Sequence, residues 1–392
     1  MKRVKEENVP RIRPRGDHAV GLYVDLPIDL ITEILLKLPS KSLAKFIVLS
    51  KHWSSEIRSK RFLDLYMKQS LTRPCFLFTF HHDSIRFFHS ASQSQDDAAY
   101  TCKSSFPLSL DRRVYQRTHD ITPPVRGLIC VQDLDKVLVS NPVTGQFLVL
   151  PKLRATRRGI SRYFGYDQVK DEYKVLCMTV LKQRRTVVSG DHQVFTLGRV
   201  AQKKPNWRKI KCNLPHCPAT NGICSDGVVY YGAWSNSAEE VSLIVGFHVG
   251  SEEFTLVKLP DGVEIDRSDS ALVNYKRKVA LVSHSHLGTF DMWVLEDVVK
   301  QEWSKISVVV PSWNDLVGKG EKFSCRGVIS TGEFMFQPFS LDGPPCVIIY
   351  DREEDSAGRV EIEGLGVNLG AVSLFLYHVE SYISLKEDYS FE

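Results

Sequence analysis

Apolar residues at positions 30, 31, 34, 35 and 38 follow the i, i+1, i+4, i+5, i+8 spacing that places them on one face of a helix. Asp25 is positioned to cap this helix. Pro27 suits its first turn, where a missing N–H leaves no bond unmade, and Pro39 ends it. Ser40 reads as the cap of a second helix carrying Leu43, Phe46, Ile47 and Leu49. A third begins near Ser50 and carries Trp53, Ile57, Phe62, Leu65 and Tyr66. Three helices in about 45 residues enclose little core. Each Leu or Ile that a partner covered would contribute about 1.5–3 kcal/mol. The surplus apolar face therefore predicts either a docking surface or packing against the next domain.

From Leu71 onward the periodicity changes. Short runs rich in Val, Ile, Phe and Tyr follow one another: PCFLFTF, DKVLVSN, YKVLCMTV, GVVYYGAW, KVALVSHS and PCVIIYD. Turn residues separate them, among them Asn141-Pro142, Thr144-Gly145, Asp226-Gly227 and Thr331-Gly332. No long amphipathic helix interrupts the series, which predicts an antiparallel all-β architecture. One unit recurs, an aromatic followed by apolar positions and a proline: FLVLP from Phe147, WRKIKCNLP from Trp207, FTLVKLP from Phe254 and WSKISVVVP from Trp303. The aromatics step by 60, 47 and 49 residues, and a second unit beginning at Gly127, Gly222 and Gly327 steps by 95 and 105. A period near 50 with several strands per unit predicts kelch-like propeller blades, five or six of them over this length. The predicted fold is mixed but mostly β. Residues 1–22 form a basic tail, residues 23–68 a small three-helix module, and residues 71–385 a predominantly antiparallel β-propeller-like domain.

Composition narrows the function classes. The 392 residues are 43% hydrophobic and 25% charged, an ordinary globular balance. A net charge of +5 with dispersed basic residues does not resemble a nucleic-acid-binding footprint. No apolar run is long enough for a transmembrane helix, and the charged start MKRVKEENVPRIRPRGDH lacks the apolar stretch of a signal peptide. Arg11, Arg13 and Arg15 there read as a solvated tail rather than an import signal. Nine scattered cysteines fit reduced thiols in a cytoplasmic or nuclear protein.

The segment DLPIDLITEILLKLPSKSLAKFIVLSKHWSSEI, closing with Phe62, resembles an F-box. Leu26-Pro27, Ile34-Leu35, Leu38-Pro39, Lys41-Ser42-Leu43, Phe46, Val48-Leu49-Ser50-Lys51 and Trp53 stand at that family's spacing. The stretches NPVTGQFLVLP, FGYDQVKDEYKVLCM, LGRVAQKKPNWRKIKC, NGICSDGVVYYGAW, IVGFHVGSEEFTLVKLP and MWVLEDVVKQEWSKISVVVP are similar, in order, to the F-box-associated interaction domain of land plants. The resemblance implies a non-catalytic substrate-receptor subunit of a Skp–cullin–F-box ubiquitin ligase. It implies no cofactor, a Skp-type adaptor and through it a cullin as partners, and an unidentified target protein. Carried over by position, the adaptor contacts are Leu26, Pro27, Ile31, Ile34, Leu35, Leu38, Pro39, Leu43 and Trp53. Lys45 and Ile47 stand where the family often has arginine. The alternative is a propeller-type binding module acting outside a ligase.

Other constellations are read more plainly. Cys212, His216, Cys217 and Cys224 contain no CxxC pair and fit no standard zinc spacing, so no metal is expected. His284 and His286 read as exposed strand histidines, and the three carboxylates of DQVKDE (Asp167–Glu172) as a polar turn. Trp207, amid the lysines and arginine of KKPNWRK, falls at the repeat position and reads as a blade-packing aromatic. No GxSxG, HExxH or GxxxxGK[ST] motif occurs. Arg154, Arg157, Arg158 and Arg162 cluster in LRATRRGISR, read as a loop that offers guanidiniums to an acidic or phosphorylated segment of a target.

Overall fold

In the computed structural model, the described residues are 27–82, 85–93, 99–101, 104–109, 121–133, 136–153, 159–183, 186–198, 206–235, 241–267, 269–284, 288–318, 321–338, 344–365 and 372–385. The basic tail, the predicted cap Asp25, Leu26, Cys102, Arg154, Arg157, Arg158 and His286 lie outside them. The chain divides into two compact units between Leu38 and Pro39.

The first unit contributes α1 (Ile28–Lys37), which follows Pro27 and stops at Leu38. Leu38 is extended, as a residue preceding proline is driven to be. The second unit opens with α2 (Ser40–Leu49), α3 (Lys51–Ile57) and α4 (Lys60–Leu71). The helical region thus has four helices where the sequence pattern predicts three. The predicted third helix is cut in two because it contains a second capping serine. Ser50 Oγ accepts the Trp53 N–H at 3.2 Å to start α3, and Ser59 Oγ accepts the Phe62 N–H at 3.2 Å to start α4. Ser40 is the first residue of α2 rather than its cap, a place taken by Pro39.

The remainder is a six-bladed propeller. Blade one contains β1 (Cys75–His82), β2 (Ile85–Ser92) and, after the short β3 (Ala99–Thr101), β4 (Ser104–Ser109). Blade two is β5 (Ile129–Asp133), β6 (Lys136–Asn141) and β7 (Gln146–Val149). Blade three is β8 (Gly159–Asp167), β9 (Glu172–Gln183), β10 (Thr186–Gly198) and β11 (Arg208–Ile210). Blade four holds β12 (His216–Pro218), β13 (Ile223–Ser225), β14 (Val228–Ser235), β15 (Ser242–His248) and β16 (Phe254–Lys258). Blade five is β17 (Ser270–Tyr275), β18 (Lys278–His284), β19 (Thr289–Asp297) and β20 (Glu302–Val309). Blade six is β21 (Phe323–Val328), β22 (Phe334–Pro338), β23 (Cys346–Asp351) and β24 (Ser356–Glu363). The last strand, β25 (Ser373–His378), returns to pair with β1 in blade one, and β3 pairs in parallel with β24 of blade six. Both ends of the β region therefore close the ring, which leaves that junction no unpaired seam.

Each junction between neighbouring blades holds its own apolar cluster. Leu77 and Phe88 meet Ile129 and Val131 between blades one and two, and Cys130 and Val139 meet Phe164 and Val175 between two and three. Tyr163 and Met178 meet Tyr231 and Val245, Ile244 and Val257 meet Leu272 and Leu281, and Met292 and Val294 meet Phe334 and Phe336 at the next three. The sixth cluster joins Met335 and Val347 to Phe76 and Leu374, bringing the last blade back to the first.

The recurring aromatic-to-proline unit of the sequence is the outer strand of a blade, β7, β11, β16 or β20 in turn. These strands mix exposed and partly covered positions, whereas β14 buries Val229 to Ala233 without a break. Two of the aromatics tie blades together. The Trp207 indole N–H donates to the Pro151 carbonyl at 2.6 Å, and the Trp303 indole N–H donates to the Lys258 carbonyl at 2.9 Å.

The hairpin turns repeat as well. Asn141, Asp167, Asp297 and Asp351 each turn a side-chain oxygen back to accept the two N–H groups that follow at positions two and three further on. Each turn ends on a left-handed residue, Gly145, Asp171, Gln301 or Asp355 respectively. Asp167 of DQVKDE is thus used in the turn, and Asp171 accepts from the Tyr166 hydroxyl at 2.5 Å.

Candidate functional site

The two helical parts both present apolar side chains to solvent. In α1 the predicted apolar face is divided. Leu35 is buried and Ile31 half-buried, while Leu30 and Ile34, one helical turn apart, are 48% and 52% exposed, with Ile28 also open. Pro27 is exposed and Leu38 half-buried. The pair Glu33–Lys37 bridges i to i+4 at 3.1 Å on the solvent side, where such a bond adds little.

In the second unit, Leu43 of α2 is fully buried. The proposed places of Leu43 and of Leu35 in the adaptor surface are corrected: a side chain inside the core cannot be offered to a partner without unfolding the helix. Pro39 is exposed. Trp53 is half-buried, with its ring edge-on to Phe46 at 5.8 Å. The C-terminal end of α2 supplies what the residue-by-residue carry-over omits, since Val48 and Leu49 are 85% and 71% exposed. With Ile47 they form one side of an open groove of about 570 Å³, faced by Ser54, Ser55 and Arg58. The signal was present in the sequence as VLSK, but an apolar pair at a helix end does not show in advance whether the core takes it.

The orientation of α2 to α4 on the propeller is fixed by residues 379–385, which follow β25. Glu380 Oε2 accepts the Ser40 N–H at 2.9 Å and the Tyr66 hydroxyl at 3.3 Å. The first turn of α2 has no acidic residue of its own, so this carboxylate from the far end of the chain meets the positive end of the helix dipole. Tyr382 packs edge-on against Tyr66 at 5.3 Å. Burial, and then the negative charge of Glu380, raise the Tyr66 phenol above its usual range. Beyond it the Asn141 amide donates to the Ser381 and Ile383 carbonyls at 3.0 Å, and Gln146 Oε1 accepts the Leu385 N–H at 2.9 Å. The strap thus runs from the helices onto blade two. No pattern in the sequence announces it, because its partners lie more than 230 residues away.

On the propeller, the predicted arginine loop is only partly in view. Arg162 is not a loop residue: it lies in β8, is 9% exposed, and donates to Gln132 Oε1 of β5 at 2.6 Å. The alternation of β8 turns it inward, against the neighbouring blade.

A sequence profile of the F-box domain matches residues 24–65, and one described as the F-box associated beta propeller domain matches residues 75–382. The chain belongs to the F-box-associated propeller family. Among the relatives of this F-box protein is an F-box/kelch-repeat protein of Arabidopsis thaliana, 39% identical over 379 residues, or 92% of this chain and 94% of the relative. A putative F-box protein of the same plant is 35% identical, over 92% and 98% of the two chains. A third F-box protein is 33% identical, over 93% and 94%. The apolar side chains exposed on α1 and α2 thus lie within the segment that the F-box profile covers.

Proposed function

We propose that this F-box protein is a substrate-receptor subunit of a Skp–cullin–F-box ubiquitin ligase, working without catalytic residues of its own. The observation that carries the reading is the set of exposed apolar side chains, Ile28, Leu30, Ile34, Val48 and Leu49, inside the F-box segment. A Skp-type adaptor that covered them would gain about 1.5–3 kcal/mol for each one fully buried. Pro27, Ile31, Leu38, Pro39 and Trp53 complete the proposed contact set. The propeller then holds a target protein, and the ligase acts by proximity, keeping the target's lysines at high effective concentration near the charged conjugating enzyme. The strap through Glu380 serves this role by holding α2 to α4 at a fixed angle on the propeller. The reading places the protein in the cytoplasm or nucleus.

The test is co-purification with a Skp-type adaptor. Leu30→Asp with Ile34→Asp alters two side chains that are half exposed, so the double variant should keep the parent's melting temperature and lose the adaptor. A folded double variant that still co-purifies would overturn the reading.

A further inference from the structure

The folding of blades three and four assembles a group that the sequence does not. Of the four residues grouped by position, Cys212 and His216 come together and Cys217 and Cys224 do not, while His192 joins from β10. One ligating atom from each of His192, Cys212 and His216 lies within 4.8 Å of the others. Backbone geometry explains the meeting. His192 pairs with Ile210 of β11, Cys212 sits two residues further along, and the link then delivers His216 as the first residue of β12 in blade four.

The His216 imidazole is held in the form that a cation needs. Its Nδ1 lies 2.6 Å from the Leu214 carbonyl, which can only accept, so Nδ1 carries the proton and Nε2 the lone pair. A backbone carbonyl that fixes the far nitrogen in this way is the usual support behind a metal-binding histidine. Nε2 accepts from the Tyr231 hydroxyl at 2.8 Å, and the same hydroxyl lies 3.7 Å from Met178 Sδ. The hydroxyl can therefore turn to the thioether and release the lone pair with no polar atom left unsatisfied. Cys212 is half-buried, and its thiol donates to the Leu214 carbonyl at 3.3 Å.

We propose that His192, Cys212 and His216 form a binding site for a single zinc ion that links blade three to blade four. Two imidazoles and a thiolate suit zinc and do not suit magnesium or calcium, which take oxygen ligands. On binding, the Sγ–zinc bond forms as the Cys212 thiol releases its proton to solvent. The fourth position is open at Cys212, the half-buried member, and takes water. Because the ligands come from both blades, the ion acts as a staple between them.

Cobalt(II) titration of the purified full-length chain tests the site, with cobalt as a spectroscopic stand-in for zinc. The expected result is one equivalent bound with a thiolate-to-cobalt charge-transfer band, which zinc abolishes by competition, and a melting temperature that zinc raises. Cys212→Ser should lose the band, bind more than about tenfold more weakly and melt at a temperature insensitive to zinc. Cys217→Ser, altering a buried neighbour outside the group, should keep all three properties. His192→Gln should keep the thiolate band at reduced affinity. A wild-type chain that binds no cobalt, or a band that survives in folded Cys212→Ser, overturns the proposal.

Discussion

The helices and the blades use apolar side chains in opposite ways. In β14 five consecutive residues are buried, because a blade inside a closed ring has a neighbour on each side. Along α2, Leu43 is fully covered while Val48 and Leu49 stand in solvent only five and six residues later. Apolar composition is similar in both regions, so what separates core from open surface is the supply of neighbours. The ring closes on itself through β25 and β3 and satisfies its own faces. The helices are too few to do the same, and part of their apolar surface stays in solvent.

The sharpest way to break this contrast is to cut both kinds of apolar residue in one helix. Leu43→Ala should cost about 2–5 kcal/mol in denaturant unfolding, from lost burial plus the cavity left behind. Val48→Asp with Leu49→Asp should change stability by no more than about 0.5 kcal/mol and weaken adaptor binding at least about tenfold. If the surface pair destabilised as much as the core residue, the two regions would not differ as described.

Acid should act on the propeller through His378. Its ring is fully buried in β25, neither nitrogen has a hydrogen-bond partner among the described residues, and burial pushes its pKa down to about 4. The unfolded chain takes up the proton near the ordinary value of 6.5, and the folded chain does so only near 4. Stability is therefore complete above about pH 6.5 and falls as pH drops toward 4, by up to about 1.4 kcal/mol per pH unit from this group. In a pH series of unfolding midpoints, His378→Phe should flatten that part of the curve. An unchanged slope would assign it to other groups.

The smallest expected effect lies at the join between the two regions. Glu380→Gln keeps an acceptor for the Ser40 N–H but removes the charge at the start of α2, at a cost of about 1 kcal/mol. Hydrogen exchange at the first amides of α2 should quicken while exchange in the inner blade strands stays constant. If α2 were unaffected, the Tyr66–Tyr382 packing would hold the helices by itself.

Much of this arrangement was legible along the chain. The recurring unit from Phe147, Trp207, Phe254 and Trp303 marked the outer strands, because the same aromatic-to-proline pattern recurs at the edge of four blades. Inner strands, buried throughout, carry a weaker signature. The helix count missed Ser59, since a serine caps a helix only when the following N–H turns toward it. The basic neighbours of Arg162 suggest a loop, whereas the pleat of β8 and the nearness of Gln132 decide its position. His192 could not be linked to Cys212 and His216 by spacing, because β10 and β11 must first pair.

The sequence by itself determined the local choices: helices between prolines, strands between Asx turns, a repeat near 50 residues, and the F-box pattern. Those depend on periodicity and on a few neighbouring atoms. Only the tertiary structure decided which apolar residues became core and which remained open, how the chain's last residues cap α2, and which histidine meets Cys212. Those outcomes depend on contacts between segments far apart in the chain, and burial is a property of the neighbours as much as of the residue.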